Sequence, residues 1–156
     1  MKPITTEDIQ RLQENLFIIR SVAEWKAEEL GEMLGLTKQS ISNIEHGKTN
    51  MTKAQYIAIR ALIDQEIKDN PNSQTLEQVV HLLLDTEDLN EKEAKIAEEI
   101  HRTIKNTNKS RIETASAVFG VVSGLISAGV LIPIATTFGK SNSWLKELIK
   151  SAKQTK

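Results

Sequence analysis

Apolar residues recur at helical spacing along most of this chain, and strand-like alternation is scarce. Ile9, Leu12, Leu16 and Ile19 fall three or four apart, which puts them on one side of a helix. With Thr5 or Thr6 able to cap it, the spacing predicts a first helix over roughly 6–22. A second, short helix should stop at Leu34-Gly35-Leu36, because glycine suits the residue just past a helix end, where φ often turns positive. Thr37 then caps a third helix, its hydroxyl accepting first-turn N–H groups. That helix, Thr37–Glu45, carries an apolar seam of Ile41 and Ile44 and ends at His46-Gly47. After a loop at Lys48–Met51, Thr52 and Gln55 make a capping box for a helix bearing Ile57, Leu62 and Ile63 to about Lys68.

The run Asp69-Asn70-Pro71-Asn72-Ser73 is the clearest boundary, since turn formers cluster there and proline disfavours helix before it. Beyond it Thr75 and Gln78 can cap a helix with Leu76, Val79, Val80, Leu83 and Leu84. Asn90 with Glu93 opens another, running through about Glu113 on a thin stripe of Ala94, Ile96, Ala97, Ile100 and Ile104. The pattern predicts an all-α chain in four parts: a helical bundle over 1–69, a helical linker or dimerisation region over 74–113, a hydrophobic segment over 114–139 and a basic amphipathic tail over 140–156.

The hydrophobic segment, Thr114–Gly139, contains no charged residue in 26 positions, more than the roughly 20 needed to cross a bilayer core as helix. Ser116, Gly120, Gly124 and Ala128 recur every four residues, a small-residue ladder of the kind that lets helix backbones approach closely. Lys109 and Arg111 precede the segment and Lys140, Trp144 and Lys146 follow it, which suits interfacial anchoring. In the tail, Trp144, Leu145, Leu148 and Ile149 oppose lysines, a layout suited to an anionic surface. Three readings stay open: a membrane span with membrane contact through 114–156, two buried helices that form an oligomer core, or a hydrophobic ligand pocket. Topology does not choose, because the tail has five lysines against one acid and prefers the same side as the N-terminal half.

Residues 28–47, EELGEMLGLTKQSISNIEHG, hold the candidate chemistry. They read as a bracing helix, a tight turn and a helix whose first turn is dense in amide, hydroxyl and ammonium groups, which suits major-groove edges and phosphates. Gln39 and Asn43 are four apart and project from one face. An amide can donate to and accept from adenine, and Lys38 can donate to guanine or phosphate. Gly31 is small enough for two helices to cross closely.

This stretch resembles the helix-turn-helix of the phage Cro/CI repressor-like (Xre-type) family. The likeness runs from about Ile9 to Ile63 and rests on Leu30, Gly35, the Thr37, Ser40, Ile41, Ser42, Ile44, Glu45, Gly47 run and Arg20 upstream. It implies that Arg20 pairs with Glu45, tying the first helix to the recognition helix. It further implies that Lys38, Gln39 and Asn43 contact bases or nearby phosphates, and that Lys48 and Lys53 lie along the DNA backbone. The chain departs from the common pattern at Gly31, where alanine is usual, and at Ala27, where a polar residue often touches phosphate.

Net charge is −1, low for a DNA binder, so attraction must come from a local cluster of Lys26, Lys38, Lys48 and Lys53. That implies modest affinity per monomer and a dimer on a symmetric site. There are no cysteines, hence no disulfide framework and no thiolate metal site. The N-terminus has no apolar core of a secretory signal. Glu77, His81 and Asp85 share a helical face but read as a solvated or interhelical cluster rather than a metal site. No phosphate loop, paired catalytic carboxylates or nucleophile motif is present, so neither an enzyme nor a cofactor is expected.

The sequence thus reads as a dimeric, sequence-specific regulator of double-stranded DNA, a repressor of phage or mobile-element type. Lys38, Gln39, Ser40, Ser42 and Asn43 would face the groove, and Lys26, Lys48, Asn50 and Lys53 the phosphates. The expected location is a bacterial cytoplasm, free or tethered to its membrane. The alternative is a membrane-anchored or assembly-forming interaction protein that uses the same helices as a docking fold.

Overall fold

The computed structural model describes residues 3–70, 73–106 and 110–131. Among these described residues seven α-helices follow one another: α1 (Thr6–Val22), α2 (Ala27–Leu34), α3 (Lys38–Glu45), α4 (Lys53–Asp69), α5 (Gln74–Leu83), α6 (Glu91–Asn106) and α7 (Arg111–Ser127), with a 3₁₀ turn at Thr86–Asp88. No strand occurs among the described residues, so the chain is all-α.

Local capping chemistry starts most of these helices. Thr5 Oγ1 accepts the Asp8 amide at 3.1 Å while the Asp8 carboxylate accepts the Thr5 amide at 2.9 Å. The same reciprocal box joins Thr52 to Gln55 and Asn90 to Glu93, each satisfying two N–H groups that the helix start leaves over. A fourth box, Ser110 with Glu113, corrects the expectation of one helix through Glu113. Instead α6 ends at Asn106 and α7 begins at Arg111. The expected pair Thr75–Gln78 does not cap α5. Thr75 hydrogen-bonds Ser123 of α7 at 3.0 Å instead, because α7 lies against this end of α5.

Helix α1 is the hub. It buries Leu12, Asn15, Leu16, Ile18, Ile19 and Val22, more than one stripe, and packs against α3, α4, α5 and α7. A helix buried on several sides must have neighbours on each of them. Leu12, Leu16 and Ile19 join Leu30, Ile41, Ile59, Ile63, Val79, Leu82, Leu83, Val118 and Val122 in one apolar core. Burying a leucine or isoleucine contributes about 1.5–3 kcal/mol. The core runs across the Pro71 boundary without a break, so the described parts of 74–131 are packed onto the N-terminal helices.

Charged contacts cross the same boundary. Arg60 Nη2 donates to both carboxylate oxygens of Asp85 at 2.8 Å, and its Nε lies 3.7 Å from Asp64. Burial opposes the charge on Arg60, but Asp85 and Asp64 more than offset it and its pKa is raised. Arg11 adds a bond from Nη1 to the Leu84 carbonyl at 3.3 Å.

Over its described part the hydrophobic segment departs from the reading as a membrane span. Helix α7 stops at Ser127 because Gly129 takes φ +74°, with its N–H on the Ile126 carbonyl and the Val130 N–H on the Leu125 carbonyl, a glycine-dependent helix stop. Among the described residues no helix is long and apolar enough to cross a membrane; residues 132–139 and the tail 140–156 lie outside them. The ladder of Ser116, Gly120, Gly124 and Ala128 sits on the exposed side of α7. A Cβ added at Gly120 or Gly124 would meet nothing within 4 Å, so the chain's own packing does not call for these glycines. Thr114, Ala115, Val118 and Val122 form the buried side.

Gly31 is different. A Cβ there would lie 2.6 Å from the Leu36 carbonyl oxygen, in the turn that closes when the Leu36 N–H reaches the Gly31 carbonyl at 2.7 Å. Close approach of backbone to helix therefore requires glycine at this position. Gly31→Ala should lower stability by about 1–3 kcal/mol of overpacking, set against the roughly 1 kcal/mol that alanine adds to an ordinary helix interior. A urea-denaturation midpoint measures the balance, and a stabilised variant would mean that the α2–α3 turn opens freely.

Candidate nucleic-acid interface

Helix α3 is short and is held by its surroundings rather than by its own length, since isolated helices of eight residues are unstable in water. At its start Thr37 Oγ1 accepts the Ser40 amide at 3.0 Å, and the two hydroxyls share a 2.9 Å hydrogen bond. Gly35, in the left-handed region at φ +70°, ends α2 and turns the chain so that α3 packs on it. Along its inner side Ile41, Ile44 and Glu45 are buried. Lys38 and Gln39 are exposed, and Ser40, Ser42 and Asn43 are half-exposed.

Arg20 and Glu45 meet. Arg20 Nε donates to Glu45 Oε1 at 2.6 Å and Nη2 to Oε2 at 3.2 Å, while Nη1 donates to the Trp25 carbonyl at 2.8 Å. The guanidinium also lies over the Phe17 ring, 5.0 Å from its centroid, a geometry that attracts cations. The pair is nearly dry, with side chains 11% and 3% exposed. It fixes the end of α1 to the last residue of α3. Trp25 itself is half-buried against the core.

The far end of α3 is tied down carbonyl by carbonyl. The Ser42 oxygen accepts the His46 N–H at 2.9 Å, the Asn43 oxygen accepts the Lys48 N–H at 2.8 Å, and the Ile44 oxygen accepts the Gly47 N–H at 3.1 Å. Gln13 of α1 adds a threefold clamp on the following loop. Its Nε2 donates to the Ile44 and Thr49 carbonyls at 2.9 and 2.8 Å, and its Oε1 accepts the Met51 N–H at 3.0 Å. The Glu45 oxygen is reached from α7, by Arg111 Nη2 at 3.0 Å. Neither Gln13 nor Arg111 stands out by local pattern, because their partners lie 31 to 66 positions away.

On the outer side Gln39 Nε2 donates to Asn43 Oδ1 at 3.0 Å, so the two amides are aligned with each other and keep further donors and acceptors for a ligand. Lys38 pairs with Glu28 of α2 at 3.4 Å, both largely exposed. An exposed pair of this kind is weak and easily exchanged. Ser42 Oγ lies 3.3 Å from His46 Nδ1. Lys26, Lys48, Asn50 and Lys53 are all exposed, at the starts of α2 and α4 and in the loop that follows α3. Helix starts carry unpaired N–H groups and positive potential, a setting that favours phosphate.

No family model, curated protein or solved structure matches this chain. The functional reading therefore rests on the residues and their arrangement.

Proposed function

We propose that the chain is a sequence-specific DNA-binding regulator, a dimeric repressor of phage or mobile-element type, with α3 entering the major groove. The observation that carries this is the division of α3 into two sides. Ile41, Ile44 and Glu45 are buried and Glu45 is hydrogen-bonded to Arg20, while Lys38, Gln39 and Asn43 turn amide and ammonium groups outward. A rigidly mounted helix with that outer chemistry suits base edges. The resemblance to the Cro/CI (Xre-type) pattern assigns the same residues.

The two helices of a dimer would read half-sites about 34 Å apart, one turn of DNA. A second copy would have an apolar surface to use: Phe119 and Val121 on α7 are exposed in the run without charge from Thr114 onward, and Ile112 is exposed just before it. The groove between α6 and α7, about 350 Å³, continues it, its lining shared between apolar residues such as Ile100, Val118, Val121 and Leu125 and the charged Lys95 and Glu99. That face is also what the assembly-forming alternative would use.

Selection of bound duplexes from a random pool tests the reading directly. A two-fold motif with fixed half-site spacing is the expected outcome. Recovery of unrelated sequences at every salt concentration would favour the assembly role. Phosphate contacts have their own signature: Lys53→Ala should weaken binding to cognate and scrambled DNA alike and reduce the slope of log K against log salt by about 0.9. An unchanged slope would remove Lys53 from the interface.

A further inference from the structure

Arg111 is the first residue of α7, and its position is electrostatically odd. Cations are disfavoured at a helix N-terminus and favoured at a C-terminus. This cation does nothing for its own helix; it reaches across to the end of α3. Its Nη2 donates to the Glu45 carbonyl at 3.0 Å, an oxygen at the helix end that lacks an intrahelical N–H. Its guanidinium lies 5.6 Å from the Phe17 centroid, the ring that Arg20 also covers. The same residue, Glu45, is thus held twice: its carboxylate by Arg20 from α1 and its carbonyl by Arg111 from α7. Behind Arg111, α7 is anchored to the body of the protein by Ala115, Val118 and Val122 and by the Ser123–Thr75 hydrogen bond.

We propose that Arg111 is a positioning residue for the recognition helix, so that docking of α7 sets how firmly the Lys38–Asn43 side is presented to DNA. The functional half rests on the DNA-binding reading above; the mechanical half does not. Helix α7 is then part of the reading head, and anything that displaces it loosens α3 from its far end. A direct phosphate contact by Arg111 is the competing role, and it is separable because it would alter salt dependence.

The test compares the full chain with Arg111→Gln and Arg111→Lys. In DNA-free protein, amide exchange should rise about tenfold at His46, Gly47 and Lys48 in the glutamine variant, the scale of a lost charged hydrogen bond. Amides in the middle of α1 and α4 should stay as protected as before. The lysine variant, which keeps a charged donor, should fall between. On the selected duplex, Arg111→Gln should weaken binding severalfold with the salt slope unchanged and scrambled DNA little affected. Unaltered exchange at the end of α3 overturns the proposal, as does a uniform rise across α1 and α4, which marks global destabilisation. A salt slope lower by about 0.9 assigns Arg111 to phosphate and also overturns it. If the wild-type chain selects no DNA, the regulator reading fails while the exchange result still decides the clamp.

Discussion

Replacing Arg20 with alanine should cost on the order of 3–5 kcal/mol of folding stability, the range for removing one partner of a buried ion pair. The expected size follows from what is left behind. Glu45 has only 3% of its side chain exposed, and it loses both guanidinium bonds together with the cation over Phe17. A carboxylate in that setting must either stay charged without its partner or take up a proton, and both are unfavourable. Replacing both residues with apolar ones, as in Arg20→Met with Glu45→Met, should recover much of the loss, since a buried pair and a well-packed apolar pair are often similar in stability. Urea unfolding of the two singles and the double measures this as a coupling energy. If Arg20→Ala costs less than about 1 kcal/mol, the range of exposed pairs, the pair is solvated and α3 is held by something else.

The second large effect concerns recognition. Gln39→Ala and Asn43→Ala should each cost about 1–3 kcal/mol on the selected duplex and relax preference at the base pair contacted. The singles should not simply add, because the two amides hydrogen-bond each other at 3.0 Å and removing either frees the partner. Stability should hardly move, as Gln39 is exposed and Asn43 half-exposed, with neither in the core. Binding to scrambled DNA should be nearly unchanged, in contrast with Lys53→Ala. If both variants bind cognate and scrambled duplexes as the parent does, α3 does not read bases through these side chains.

Much of the local structure could be read along the chain because its causes are local. The boxes at Thr5, Thr52 and Asn90 each join residues three apart, within reach of a single helical turn. Gly35 and Gly47 adopt positive φ at the ends of the helices they were expected to close. The S-x-x-E signature at Ser110 is equally local, yet it lay inside a charged stretch that reads as one continuous helix. Thr75 failed for another reason. A hydroxyl near a helix start has two outlets, its own backbone or a neighbour, and the neighbour is set by how α7 lies on α5.

What the sequence determined alone was the first five helices, most of their ends, and an α3 with one apolar and one polar side. All of that depends on chemistry within a few residues. Tertiary structure decided which elements meet: α1 at the centre, α7 folded back onto it, Gly31 forced by a carbonyl in the next turn, and Gln13 and Arg111 converging on the end of α3. The small-residue ladder shows the limit clearly, since spacing puts Gly120 and Gly124 on one side of a helix but cannot say which side the core takes. The core took Ala115, Val118 and Val122 and left Phe119 and Val121 exposed, because only the side that meets α1 and α5 can leave water.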